Sequence, residues 1–264
     1  MSRSERVDKS IDHQYSPIAT LIMRDDSESH HIEMNQIFDV PFAICICGPS
    51  KVSGKTNVIG NLLLSKEFYR GIYQPENIYI FCPSFDSDGK MQTIAKELGV
   101  PPGNIYRQYS EVELSKIEKK IKEKYTKAKL EEDLPPYVMV IFDDCAYSGD
   151  LKNKKGGFVA KMFCNLRHFN CSCIMTAQKY TQLSTEARTN MTGAIMFACG
   201  GSDPDLFYND VGFGMKRDKF IEAYERTTLN KHTYLVYNKT NPPETRFLDT
   251  NWMPISMPYR VLKK

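Results

Sequence analysis

The sequence predicts an α/β fold, with a mainly parallel sheet covered by helices on both faces. Short continuous apolar segments recur along the chain, as expected for strands that are buried on both sides. Segments with helical periodicity alternate with them, and this alternation is typical of parallel sheets. The chain has 264 residues, of which 41% are hydrophobic and 25% charged, an ordinary composition for a globular domain.

Five apolar segments are predicted as the buried strands. The second segment, 77–84, is ended by Pro83, whose ring nitrogen has no hydrogen to donate to a neighbouring strand. The third ends in two acidic residues. Two later segments, 233–239 and 245–250, are predicted as further strands of the same sheet. The five segments are 41–47, 77–84, 137–145, 171–178 and 193–200.

Three amphipathic helices are predicted between these strands, because apolar residues recur in them at helical spacing. The first begins at Lys55. The second begins at Ser110, which forms a capping-box pattern with Glu113. The third lies between the third and fourth strands. The apolar stripes consist of Val58, Ile59, Leu62 and Leu63; of Leu114, Ile117, Ile121 and Tyr125; and of Val159, Met162, Phe163 and Leu166.

Composition predicts one main domain with short extensions. Residues 1–33 are polar and aperiodic and are predicted as an N-terminal arm, 34–250 as the domain and 251–264 as a C-terminal tail. No apolar segment approaches the roughly 20 residues that span a bilayer, and the N-terminus lacks a signal-peptide core. We therefore expect an intracellular protein without a membrane-spanning segment. The net charge of +3 means that any nucleic-acid binding must depend on local patches.

The segment CICGPSKVSGKTN, residues 45–57, contains a candidate phosphate-binding loop. The motif has four residues between Gly and Gly-Lys-Ser/Thr, whereas five separate Gly48 from Gly54 here. Its placement is typical, because it follows a buried strand and opens a helix whose N-terminal N–H groups can bind an anion. The extra residue is predicted to enlarge the loop between Gly48 and Val52. An ordinary turn with an exposed lysine is the alternative.

The loop residues have separate predicted roles. Gly54 allows close approach of the backbone, Lys55 reaches the β- and γ-phosphates, and the Thr56 hydroxyl ligates Mg²⁺. A nucleotide and Mg²⁺ are therefore the expected ligands. The predicted nucleotide-binding residues are Gly48, Ser53, Gly54, Lys55, Thr56 and Asn57.

Asp143 and Asp144 follow the third strand and form a Walker B pattern. Parallel strands deliver their carboxyl ends to one edge of the sheet, so Asp143 is predicted to meet the phosphate loop and hold Mg²⁺. Asp144 is predicted to orient and deprotonate the attacking water. Gln178 ends the fourth strand, from which it is predicted to contact the γ-phosphate. A pair of acids at a strand exit and a polar strand terminus are the alternative interpretations.

Several of these segments together resemble the DNA-packaging ATPases of the FtsK–HerA superfamily, particularly the poxvirus-like branch found in large eukaryotic DNA viruses, virophages and Polintons. The segments are CGPSKVSGKTN, YIFCPS, VMVIFDDC, NLRHFNCSCIMTAQKYTQLSTEARTN and GAIMF, within residues 42–197. The resemblance implies a RecA-like P-loop ATPase domain over 34–250 that hydrolyses ATP. The chain departs from the superfamily in its enlarged loop and in Asp144, where Glu is commonest, although the poxvirus-like branch resembles this Asp form.

The resemblance also implies partners. It implies a homo-oligomeric ring that packages double-stranded viral DNA into a capsid without reading its sequence, with capsid proteins as further candidate partners. The expected location is the host cytoplasm, a viral factory or the virion. An arginine of the neighbouring subunit completes the ATP site in such rings. Arg188 is preferred over Arg167 for this catalytic role, because it lies in a polar segment from which it could reach outward.

The basic loop 151–157 is a candidate DNA contact, since flexible lysines can bind phosphates without sequence preference. A solvated lysine loop is the alternative. Among other functions, a P-loop kinase or other small-molecule phosphotransferase stays open, although no arginine-rich lid is evident. A GTPase lacks support, because "NKTN" at 238–241 ends in Asn, whereas a carboxylate pairs with guanine.

Overall fold

The computed structural model describes residues 37–145 and 158–257. Within them, eight strands form one sheet in the order β3-β2-β4-β5-β1-β6-β7-β8. The pairs from β3 to β6 are parallel, and β7 and β8 add to the edge in antiparallel orientation. The strands are β1 (Ala43–Cys47), β2 (Ile78–Phe81), β3 (Ile105–Tyr106), β4 (Val138–Phe142), β5 (Cys171–Ala177), β6 (Gly193–Phe197), β7 (Tyr234–Asn238) and β8 (Phe247–Leu248).

Helices cover both faces of this sheet. Helices α1 and α2 pack on one face, and α3 to α7 pack on the other. Strand β1 shows why both layers are needed, because Ile44 and Ile46 point to the first face while Cys45 and Cys47 point to the second. The helices are α1 (Lys55–Leu64), α2 (Gly89–Glu97), α3 (Glu111–Leu130), α4 (Phe158–Asn165), α5 (Thr185–Asn190), α6 (Asp203–Val211) and α7 (Arg217–Thr228). The predicted α/β class with a mainly parallel sheet is confirmed.

Strand β5 lies between β4 and β1, so the strand that ends in Asp143 is separated from the strand that enters the phosphate loop by one intervening strand. These three strands are parallel, and their carboxyl ends therefore meet at one edge of the sheet. Gln178 directly follows β5 at this edge. The sheet order thus brings the three predicted motifs together.

The structure contains elements that the sequence analysis did not predict. Helix α2 begins where the Asp88 carboxylate accepts the N–H groups of Lys90 and Met91, at 2.9 and 3.1 Å. Helices α5, α6 and α7 and the short strand β3 were also missed. Strand β3 has two residues and α5 has six, which is too few for a clear pattern, whereas α2 and α7 carry buried apolar residues at helical spacing that the sequence analysis did not use.

Part of the predicted C-terminal tail packs on the sheet. The Ile255 N–H donates to the Phe247 oxygen at 2.9 Å, and Trp252 contacts the rings of Phe68 and Tyr234. Residues 251–257 therefore continue the packed fold beyond the predicted boundary. The predicted arm 1–33, the basic loop 151–157 and the last residues of the tail lie outside the described residues. None of the helices in the described ranges has the length and apolar character to cross a bilayer.

Candidate active site

The phosphate loop begins at Gly48, which packs too closely for any side chain. The Gly48 N–H donates to the Ala177 oxygen at 3.0 Å and continues the β1–β5 pairing. A Cβ atom at this position would lie 2.7 Å from Phe197 Cβ and 2.8 Å from Ser53 Cβ. The predicted Gly48 is therefore required by packing at the start of the loop.

The extra residue of the loop is taken up before Ser53. The Ser53 hydroxyl donates to the Pro49 oxygen at 2.7 Å and closes the loop on itself. Between them, Lys51 has a φ of 66° and Val52 is 49% exposed, so the loop bulges toward solvent. Gly54 then caps α1 with a φ of 96°, a left-handed conformation that favours glycine. Gly-Lys-Thr thus stands at the start of α1 as the motif requires.

Lys55 lies inside the loop, where its ammonium group donates to the Gly48 oxygen at 2.7 Å. Burial lowers the pKa of Lys55, and the nearby carboxylates of Asp143 and Asp144 oppose this change. The lysine and the two acids are therefore close enough to interact electrostatically, as predicted from the motif order.

Asp143 is a buried carboxyl group, only 4% exposed. Burial raises its pKa to about 6, although a hydrogen bond from the Thr176 hydroxyl to Asp143 Oδ1, at 2.8 Å, works in the opposite direction. The same Thr176 oxygen accepts the Asp144 N–H at 3.0 Å. Thr176 on β5 thus contacts both acids that follow β4 and keeps them in place.

Gln178 contacts an acid of the site instead of lining the cavity itself. Its Nε2 donates to Asp144 Oδ1 at 3.3 Å, and its backbone N–H donates to Gln182 Oε1 at 3.0 Å. Asp144 has a φ of 54°, which Asp tolerates better than most residues. Gln178 therefore orients the carboxylate that was predicted to activate water.

The phosphate loop and the two acids line a cavity of about 690 Å³. Its wall also contains residues that the sequence analysis missed, namely Ser84, Ser87, Asp88, Gly89, Lys90 and His232. The first five follow β2, which neighbours β4 in the sheet, so correct strand order would have indicated them. His232 comes from the loop between α7 and β7, and no local motif marks it. Asn57 lies outside this cavity, in the groove between α1 and α2.

The oxygen atoms of the cavity suit Mg²⁺. Thr56 supplies a hydroxyl and Asp143 a carboxylate, and small hard cations prefer such ligands. No cluster of three or more His, Cys, Asp or Glu residues that could hold a metal occurs in the described part of the chain. An ion bound here would therefore complete its coordination shell with phosphate and water oxygens, as nucleotide-bound Mg²⁺ does.

A family model described as Poxvirus A32 protein matches residues 29–240, most of the chain. The chain belongs to the poxvirus A32 protein family. No curated protein sequence matches it at a significant level. The predicted resemblance to poxvirus-like packaging ATPases is thereby confirmed.

Solved structures share the fold of this A32-family chain. B204, the DNA-packaging ATPase from Sulfolobus turreted icosahedral virus, is 16% identical, with a TM-score of 0.54 over 84% of this chain and 100% of that chain. The genome-packaging NTPase B204 from Sulfolobus turreted icosahedral virus 2 in complex with sulfate is 14% identical, with a TM-score of 0.53 over 83% of this chain and 100% of that chain. The same protein in complex with AMP is 14% identical, with a TM-score of 0.51 over 75% of this chain and 92% of that chain. At these identities, the similarity establishes the P-loop ATPase fold.

The structure corrects one premise about the A32-family chain. Arg188 was expected to be free to reach outward, but its guanidinium forms an ion pair with Asp210 of α6 and lies 5.6 Å from the centroid of the Tyr180 ring. Its side chain is only 11% exposed. The premise was wrong because α6, which carries Asp210, was not predicted. Whether Arg188 is catalytic stays a prediction.

Arg167 lies in a short 3₁₀ helix, Leu166–Phe169, before β5. Its Nε has no hydrogen-bond partner within residues 37–145 and 158–257, and burial lowers the pKa of the guanidinium. The Nε of Arg188 is likewise buried without a hydrogen-bond partner, so this atom does not distinguish the two arginines. The two arginines differ in their ion pairs: Arg188 is held by Asp210, whereas no ion pair of Arg167 occurs among the described residues.

Proposed function

We propose that the protein is an ATP-driven motor that packages double-stranded viral DNA into a capsid and acts as a homo-oligomeric ring. Its membership of the A32 family and the fold that it shares with the B204 packaging ATPase support this proposal. The observation that carries it is the convergence of Lys55, Asp143 and Asp144 at one cavity. No feature of the described residues favours the small-molecule phosphotransferase.

The cavity supports a mechanism of ATP hydrolysis. The N–H groups at the start of α1 and Lys55 would bind the β- and γ-phosphates, with Lys55 exchanging the Gly48 oxygen for phosphate. Thr56 and Asp143 would hold Mg²⁺, which when bound neutralises negative charge on the phosphates. Asp144 would accept a proton from the attacking water, and Gln178 would keep that carboxylate oriented.

The ring would supply the remaining positive charge. An arginine of the neighbouring subunit would stabilise the charge of the transferring phosphoryl group. Arg167 is the better candidate, because Arg188 would first have to leave Asp210. Binding to DNA would be independent of sequence, with the basic loop 151–157 contacting phosphates. Such a motor would act in the host cytoplasm or viral factory, or in the virion beside capsid proteins.

The test is whether duplex DNA stimulates ATP turnover. Wild-type protein and the Lys55→Ala variant are compared in a phosphate-release assay with and without duplexes of unrelated sequence. We expect stimulation by every duplex, loss of stimulation at high salt, and loss of turnover in Lys55→Ala. Wild-type turnover in Lys55→Ala would refute the site. DNA-independent transfer of phosphate to a small acceptor would favour the phosphotransferase instead.

A further inference from the structure

The loop between α7 and β7 contacts the phosphate loop through His232. Its Nδ1 lies 3.2 Å from the Ser53 carbonyl oxygen. The same nitrogen would lie 3.4 Å from a Cβ atom placed on Gly54, so the imidazole packs against the glycine that caps α1. His232 thus contacts the two residues that directly precede Lys55.

The hydrogen-bond partner of His232 determines which nitrogen of its ring carries the proton. A carbonyl oxygen can only accept a hydrogen bond, so Nδ1 must carry the proton. The Thr233 hydroxyl and N–H both donate to the Asn230 oxygen, at 2.7 and 3.2 Å, and close the turn that presents the ring. His232 itself has a φ of 67° in this turn.

This contact acts on the peptide group that joins Ser53 to Gly54. The C=O and N–H of a trans peptide lie in one plane and point in opposite directions. Holding the Ser53 oxygen therefore also fixes the direction of the Gly54 N–H. That N–H stands at the N-terminus of α1, where backbone donors bind phosphate. The enlarged loop needs such support, because Val52 and its neighbours bulge into solvent.

We propose that His232 is a positioning residue for the nucleotide. Its Nδ1–H holds the Ser53–Gly54 peptide in the orientation that presents the Gly54 N–H to the phosphates of ATP. The inference rests on the proposed ATP binding, and it assigns to the α7–β7 loop a part in shaping the phosphate site.

Two substitutions of His232 separate the effect of the hydrogen bond from the effect of the backbone conformation. Asn and Gly both tolerate the positive φ of His232, but only Asn carries a donor at the place of Nδ1. His232 is exposed, so neither change disturbs the core. The assay measures KM and kcat for ATP, the Kd of a fluorescent ATP analogue, and thermal unfolding of the nucleotide-free protein.

We expect His232→Gly to raise KM and Kd about 2- to 13-fold, the effect of losing one hydrogen bond of roughly 0.5–1.5 kcal/mol. We expect kcat to change less than about twofold, because Asp143 and Asp144 are untouched. His232→Asn should restore KM and Kd to near the wild-type values. A normal Kd in His232→Gly, or equal losses in both variants, would overturn the inference. Wild-type protein that fails to hydrolyse ATP would instead overturn the proposed function.

Discussion

Replacing Asp143 with Asn should stabilise the metal-free protein at neutral pH, although it removes activity. The pKa of Asp143 is about 6 in the folded protein, against an ordinary value of 3.8. Between these values, the folded state binds more protons than the unfolded state, so the stability contributed by this group falls as the pH rises. Above about pH 6, the folded protein bears the full cost of a buried carboxylate.

The magnitude follows from the two pKa values. A tenfold change in proton affinity corresponds to about 1.36 kcal/mol, so the full cost is about 3 kcal/mol. The Asp143→Asn variant would avoid this cost while keeping an oxygen for the Thr176 hydroxyl. The expected gain in free energy of unfolding is therefore about 3 kcal/mol at pH 7.5, about 1.5 kcal/mol at pH 5, and close to zero below about pH 3.

The assay is urea unfolding in EDTA at pH 5 and pH 7.5, followed by circular dichroism. Asp133→Asn is the matched control, since it makes the same change at an exposed position and should alter stability by less than about 0.5 kcal/mol. Adding Mg²⁺ and ATP should stabilise the wild type but not Asp143→Asn. A variant that is less stable at both pH values, or equally stabilised at both, would refute the reasoning.

Four further predictions concern hydrolysis, the ring and DNA. Asp144→Asn should retain ATP binding, measured with a fluorescent analogue, but should hydrolyse ATP at least about 100-fold more slowly, and Gln178→Ala should lower kcat with little change in KM. Mixing Arg167→Ala protein with Asp144→Asn protein should recover part of the activity that each variant lacks alone. Mixing Arg188→Ala protein with Asp144→Asn protein should recover none if Arg188 stays paired with Asp210 within its own subunit. If activity recovered in the mixture with Arg188→Ala but not in the mixture with Arg167→Ala, Arg188 would again be the candidate for the catalytic arginine. Neutralising the lysines of loop 151–157 should reduce DNA-stimulated turnover and leave turnover without DNA unchanged, and intact stimulation would exclude the loop as the DNA contact.

Features that depend on contiguous residues could be predicted from the sequence. Gly54, Lys55 and Asp143 occur next to apolar strand segments, and parallel strands can bring such motifs to the same edge. Features that depend on distant elements could not. His232 meets Ser53 only because α7 returns to that edge, and Asp210 meets Arg188 only because α6 packs against the 3₁₀ turn Tyr180–Gln182 that precedes α5. Neither pair has a local signal, since 179 and 22 residues separate the partners.

The position of β5 has a geometric consequence for hydrolysis. Neighbouring strands lie about 4.8 Å apart, so β4 and β1 are about 10 Å apart with β5 between them. This width separates the part of the site that grips the nucleotide from the part that activates water, and a phosphate group can lie between the two. Because backbone hydrogen bonds of β5 to β4 and β1 set this width, truncating a side chain that stands perpendicular to the sheet, as in Ile174→Ala, would leave the width unchanged. The distance between the two parts of the site is therefore fixed by the order of the strands in the sheet and not by the side chains that cover it.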